Sequence, residues 1–173
     1  MMRIFKPNMY CKSIFDINYD KLKKMNIKCL LFDLDNTLSP AKKQIVDNDV
    51  KNLFIKLKKD FKIILFSNNF NKRVSFFANY YGIDYAYLSL KPLYYKYLYL
   101  MLKYKLKRKE IACIGDQLMT DIIGGNKIGI LTILVDPLDK EDGKSTYLNR
   151  KIEGYILSKY EKKNIHKKGN YYE

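Results

Sequence analysis

Tryptophan is absent from this 173-residue sequence, histidine occurs once and cysteine three times. The cysteines (Cys11, Cys29, Cys113) are odd in number, widely spaced and mostly inside apolar runs. That argues against a disulfide framework or a zinc site, and for reduced core thiols in a cytoplasm-like compartment. The single histidine, His166, lies in a basic tail and reads as a solvated side chain. Long apolar runs are missing too. The longest, residues 128–135, falls far short of the roughly 20 residues that span a bilayer. The start, Met-Met-Arg-Ile-Phe-Lys-Pro, has no apolar signal-peptide core. Together these absences imply a soluble, cytoplasmic protein, with peripheral contact with a membrane surface left open.

Acidic residues are scarce: 18 Asp+Glu face 33 Lys+Arg, a formal charge of +15. Such a surplus attracts polyanions, an anionic membrane first and RNA as the lesser choice. A chain rich in Lys, Asn, Ile and Tyr is also what an A+T-rich coding sequence produces, so charge alone names no partner. Apolar residues, by contrast, are plentiful. They make up 47% of the chain, 14% being aromatic, which excludes wholesale disorder. The length suits a single domain with a real core.

Apolar segments alternate between strand-like and helical. Strands are expected at 28–33, 62–66, 85–88, 111–114 and 130–135. Helices are expected at 47–59, where Val50, Phe54 and Leu57 share a face, and at 71–80, 93–104 and 118–127. Gly82 and Gly129 stand where helices should end, and Asp136-Pro137 closes the last strand. Strands separated by helices imply right-handed βαβ units and a mostly parallel sheet. The expectation is therefore an α/β protein: a three-layer Rossmann-like fold with its core over about 26–138. A polar basic tail over 139–173 shows no periodicity, and its last ten residues should fray.

The chemistry collects at strand ends, where open α/β sheets bind their ligands. The first strand opens into Phe32-Asp33-Leu34-Asp35-Asn36-Thr37-Leu38, the second into Ser67-Asn68-Asn69, the third into Lys91-Pro92. The fourth opens into Gly115-Asp116-Gln117, with Asp121 five residues beyond Asp116. Four acids, a hydroxyl and a lysine at one sheet edge suit phosphoryl transfer. Carboxylates hold Mg²⁺, and lysine and serine grip phosphoryl oxygens. Helix caps and turns would account for one or two of these acids, hardly for all four.

In these motifs the chain resembles the haloacid dehalogenase (HAD) superfamily of aspartate-nucleophile phosphatases. More narrowly it resembles the YqeG family of subfamily IIIA, related to phosphatidylglycerophosphate phosphatases. Ser13-Ile14, FDLDNTL, Ser67-Asn68-Asn69, Lys91-Pro92, GDQLMTD and Ile133-Leu134-Val135-Asp136-Pro137 carry the likeness, from about residue 6 to about residue 153. The resemblance implies a Mg²⁺-dependent phosphomonoesterase in which Asp33 is the nucleophile and Asp35 the general acid and base. The Asp33 carboxylate, the Asp35 carbonyl and Asp116 would ligate the metal, supported by Asp121. Ser67 and Lys91 would hold the phosphoryl group, Asn68 would touch phosphate or substrate, and Thr37 would steady the loop. Phosphatidylglycerophosphate is the implied substrate. A soluble nucleotide, sugar phosphate or phosphoprotein is the alternative within enzymes, and a basic RNA-associated scaffold with a vestigial site the alternative outside them.

Spacing adds to the motifs. Asp33 and Ser67 lie 34 residues apart, Ser67 and Lys91 only 24, and helices and strands consume most of both intervals. No room is left for a cap domain. An uncapped site suits a large substrate or one presented at a surface. Residues 91–109 carry seven Lys/Arg and no acid, with tyrosines at 94, 95, 97, 99 and 104. Leu93, Tyr97, Leu100 and Tyr104 are expected to form a buried stripe, leaving Tyr95, Tyr99 and Leu102 outside it.

Overall fold

The computed structural model describes residues 2–139, 147–162 and 169–173. The segment 140–146 and residues 163–168, His166 among them, lie outside the described residues. Six strands run in chain order: β1 (Met9–Cys11), β2 (Cys29–Phe32), β3 (Lys62–Phe66), β4 (Asp84–Ala86), β5 (Ile111–Gly115) and β6 (Leu131–Val135). They form one sheet in the order β1-β6-β5-β2-β3-β4, every strand pair parallel. The helices are α1 (Tyr19–Lys24), α2 (Asn48–Leu57), α3 (Asn71–Tyr81), α4 (Tyr95–Lys103), α5 (Ile123–Ile128) and α6 (Tyr147–Lys162).

Strand alternation explains the three layers. Leu30, Phe32, Ile63, Leu65, Ala112 and Ile114 face one side, where Val50, Phe54 and Leu57 of α2 and Val74, Phe77 and Tyr81 of α3 cover them. Cys29, Leu31, Ile64, Phe66, Ile111 and Cys113 face the other, under Tyr97 and Leu100 of α4 and Ile128 at the end of α5. Both faces are dry, so the strands read as continuous apolar runs. All three cysteines are free and buried, and burial pushes the Cys29 and Cys113 thiols up to about 12.

Strand order sets the site. After β2 the chain moves outward through β3 and β4, then crosses back to add β5 on the opposite side of β2. The connections beyond β2 and β5 therefore diverge, opening a crevice at the carboxyl ends of these two strands. Between β2 and β3 lie only loop and α2, and between β3 and β4 only loop and α3. No cap interrupts either interval.

Several expectations need correction. The strand β1 gave no sequence signal, being three residues long, yet Met9 pairs with Ile133 and Cys11 with Val135. The tail is not uniformly irregular, since α6 occupies part of it and its Glu153 accepts a 3.0 Å hydrogen bond from Met119 N. Nor do residues 169–173 fray: Tyr172 bridges Tyr10 through reciprocal backbone hydrogen bonds of 2.7 and 2.9 Å. Helix α4 begins at Tyr95, not Leu93. Leu93 is exposed in the preceding turn, while Tyr97 and Leu100 are buried as the stripe required.

The aromatic pillar under β2 should be the stability hot spot. Phe54 is fully buried, its ring 5.0 Å from that of Phe32 and 5.4 Å from that of Tyr81. Phe54→Ala is expected to cost about 3–5 kcal/mol, read as a lower urea midpoint.

Candidate active site

Asp33 follows the last residue of β2 and is held in register by its N–H, which donates to Ile114 O at 2.9 Å. Asp116 follows β5, and Asp121 lies in a single π-helical turn, Leu118–Ile122, that leads into α5. Such turns inside helices are rare and concentrate at functional sites. Here the wider turn brings Asp121 back toward the strand end. A Cβ on Gly115 would stand 2.3 Å from the Asp121 Cγ, so the approach requires glycine at that position.

Oxygens of Asp33, Asp116 and Asp121 all lie within 4.8 Å of one another, and all three residues are buried. Around a small hard cation, ligand oxygens at about 2.1 Å sit roughly 3–4 Å from each other. The trio fits a divalent ion with small adjustments. Thr37 Oγ1 donates to Asp116 Oδ1 at 3.3 Å, while Thr120 Oγ1 and Gln117 N donate to Asp121 Oδ2 at 3.3 Å. Those bonds aim the carboxylates.

Lys91 enters the cluster from the loop after β4. Its Nζ lies 2.6 Å from Asp33 Oδ1 and 2.7 Å from Asp121 Oδ1, and donates to Phe66 O at 2.9 Å. Burial works against this ammonium, but Asp121 and Asp33 outweigh it and raise its pKa above that of free lysine. Burial also lifts Asp33 to about 7; Lys91 opposes the rise, and Asp121 and Asp35 add to it. The two directions are consistent. One ammonium meets two carboxylates, Asp33 and Asp121, so it stays charged, while burial and the neighbouring acids favour the protonated form of Asp33.

The remaining sequence candidates fall into two groups. Ser67 is buried at the end of β3, its Oγ accepting from Asn69 N at 3.1 Å. Asn68, expected at the phosphate, has both amide atoms on the Lys91 backbone: Lys91 N donates to its Oδ1 at 2.7 Å, and its Nδ2 donates to Lys91 O at 3.0 Å. It brackets the lysine. The Asp35 carboxylate stays outside the three-acid cluster, its Oδ1 taking Arg73 Nε at 2.9 Å and its Oδ2 taking Asn69 Nδ2 at 3.1 Å.

Arg73 was missed by sequence reasoning. Besides Asp35, it donates to Lys43 O at 2.8 Å and Pro40 O at 3.0 Å, tying α3 to the loop after Asp35. A signal existed: it is one of only four arginines among 33 basic residues, and arginine's fixed fork suits several acceptors at once.

Comparison with known proteins places this arrangement. The family model described as "Mitochondrial PGP phosphatase" matches residues 1–139. The chain belongs to the mitochondrial PGP phosphatase family. It is a phosphatase of the HAD type. The "Probable phosphatase YqeG" of Bacillus subtilis (strain 168) is 36% identical over 164 residues, covering 94% of this chain and 95% of that protein. Among solved structures, the putative HAD-hydrolase YfnB of Bacillus subtilis bound to magnesium matches with a TM-score of 0.56 at 14% identity, over 69% of this chain and 91% of that one. The 3-deoxy-D-manno-octulosonate 8-phosphate phosphatase of Yersinia pestis matches with a TM-score of 0.53 at 20% identity, over 69% of this chain and 70% of that one. These two likenesses concern the fold. No helix among the described residues is long and apolar enough to cross a membrane, so this PGP phosphatase family member has no spanning helix there.

Two outcomes follow from this geometry. Gly115→Ala should displace Asp121 and weaken binding of a divalent cation by about tenfold or more; unchanged affinity in titration calorimetry would contradict the close-approach argument. The second concerns pH. Asp33 holds its proton more tightly folded, at about 7, than at its ordinary 3.8. Its stabilising contribution is thus complete below pH 3.8 and lost as pH rises through about 7. With chelator present, wild type should lose thermal stability relative to Asp33→Asn across that window. Parallel melting curves would contradict the raised pKa.

Proposed function

We propose that this chain is a Mg²⁺-dependent phosphomonoesterase working through an aspartyl-phosphate, with phosphatidylglycerophosphate as its substrate. The observation that carries the reaction is the meeting of Asp33, Asp116, Asp121 and Lys91 at the carboxyl ends of β2 and β5, with Asp35 held apart on Arg73. The lipid substrate is supported by the description of the matched family and by the uncapped mouth.

In this reading Asp33 attacks phosphorus, and the bond to the leaving alcohol breaks. Asp35 donates a proton to the departing oxygen. Water then attacks the aspartyl-phosphate, Asp35 takes its proton, and the Asp33 carboxylate is released with inorganic phosphate. Lys91 and Ser67 hold phosphoryl oxygens throughout. Asp33, Asp116 and Asp121 would hold Mg²⁺, with the Asp35 carbonyl completing the protein ligands. When bound, the ion supplies positive charge against the phosphoryl oxygens. Mg²⁺ is chosen because every donor is a hard oxygen.

Arg73 is a positioning residue in this scheme, because it fixes where Asp35 points. The lipid reading also places the protein peripherally on a membrane, where its substrate resides.

Asp33→Asn is expected to abolish Mg²⁺-dependent phosphate release from p-nitrophenyl phosphate while leaving the fold intact by circular dichroism. Activity surviving in that variant would refute the nucleophile assignment. Arg73→Ala should lower kcat about a hundredfold on an alkyl phosphate, whose leaving group needs a proton. It should act far less on p-nitrophenyl phosphate, and Arg73→Lys should restore part of the loss. Equal losses on both substrates would refute the positioning role. Phosphatidylglycerophosphate in anionic micelles should be hydrolysed in preference to soluble nucleotides and sugar phosphates; the reverse preference would refute the lipid assignment.

A further inference from the structure

Four apolar side chains stand exposed around the mouth: Phe70, Leu88, Leu90 and Leu93, with Phe70 72% and Leu90 59% exposed. Each is placed there by the site itself. Phe70 follows Asn69, the partner of Asp35; Leu88 N donates to Asn69 O at 3.0 Å; Leu90 immediately precedes Lys91; and Leu93 N donates back to Leu90 O at 2.8 Å. From this rim α4 carries an outward row of Tyr95, Tyr99 and Leu102, spaced i, i+4 and i+7, the last 81% exposed. Single exposed apolar residues need no explanation, but a connected set does.

Two lysines of α4 lie against Tyr99 of the row and join it to Tyr87 and Tyr104. Lys96 Nζ lies 5.7 Å from the Tyr87 ring centroid and 5.8 Å from that of Tyr99. Lys103 Nζ lies 6.0 Å from Tyr99 and 5.1 Å from Tyr104. The result is an aliphatic and tyrosine surface bordered by ammonium groups. Residues 85–109 contain seven Lys/Arg and no acid; Lys91 is buried on Asp33 and Asp121, while Lys96 and Lys103 lie against this surface.

We propose that the rim and the outer row of α4 form a docking surface for an anionic bilayer, holding the mouth at the level of the lipid headgroups. Charge chooses among the possible occupants. A second copy of the chain meeting this face symmetrically would set Lys96 and Lys103 of one face against the same lysines of the other. Single-stranded nucleic acid would satisfy the charge but gains from aromatic and arginine stacking, and leaves leucines such as Leu90 and Leu102 in water. A bilayer interface takes every component: leucine at the acyl boundary, tyrosine among headgroups, and lysine reaching anionic phosphates. The surface deepens the lipid reading of the site, but its test does not depend on that reading.

The test is co-sedimentation of the full chain with vesicles of phosphatidylcholine, with and without phosphatidylglycerol, neither of which carries a phosphomonoester. Wild type should bind the anionic vesicles, lose them at high salt, and ignore the neutral ones. Tyr99→Asp combined with Leu102→Asp, on the exposed side of α4 and in contact with none of the catalytic candidates, should weaken binding about tenfold or more while p-nitrophenyl phosphate hydrolysis stays at the wild-type rate. Lys96→Glu combined with Lys103→Glu should do the same. Asp33→Asn, inactive under the proposed mechanism, should bind vesicles like wild type, so a failed catalytic reading and a failed docking reading remain distinguishable. Four results would overturn the proposal: wild type that ignores anionic vesicles; surface variants that bind them undiminished; a dimer that these variants disrupt; or RNA binding that they abolish while vesicle binding persists.

Discussion

A lysine ammonium sealed between two aspartates organises this molecule. Lys91 touches Asp33 after β2, Asp121 in the π-helical turn, and the last carbonyl of β3. Burying a charge that way is tolerable only when every partner is present, and deleting one typically costs several kcal/mol. Much of the surrounding loop serves that placement. Asn68 fixes the Lys91 backbone from both sides, and Leu88 and Leu90 adopt left-handed conformations with φ of 44° and 55°. Leucine in that region costs of order 1–3 kcal/mol, a cost borne where the chain must turn tightly into the site.

The same electrostatics separate the two acids of the first motif. Asp33 and Asp35 are two residues apart, yet their carboxylates answer to different cations, Lys91 and Arg73. Asn36 makes the separation possible with a left-handed φ of 64°, and the short turn behind it closes through Leu38 N and Ser39 N, both donating to Leu34 O. Arg73 then fastens the following loop to α3 through the Pro40 and Lys43 carbonyls. The loop is a braced flap, not a domain. The site is open because nothing larger was inserted.

Much of this could be read from the residues in order. The strands β2, β3, β5 and β6 announce themselves because both faces are buried, which leaves unbroken apolar runs. Val50, Phe54 and Leu57 mark α2 by their period. Asp33, Ser67, Lys91, Asp116 and Asp121 were legible because each follows a strand end. What escaped was carried by geometry with no local pattern. The three residues of β1 are too few to show a period. Helix α6 reaches the site turn through the buried carboxylate of Glu153, invisible in a polar stretch. Arg73 divides its donors between Asp35 and two backbone carbonyls, and carbonyls are something any sequence supplies. Leu93 fits the helical spacing of Tyr97 and Leu100, yet lies in the turn that delivers Lys91.

The edge strand β1 also has a consequence for how the chain is made. Its partner β6 lies 124 residues further on, and Tyr172 then pairs with Tyr10 from outside. At ribosomal speeds of about 5–20 residues per second, residue 9 waits roughly 6–25 s for its neighbour to be synthesised. During that interval Met9, Tyr10 and Cys11 form an apolar strand with nowhere to pair. A nascent-chain chaperone would have that apolar segment to hold until β6 emerges.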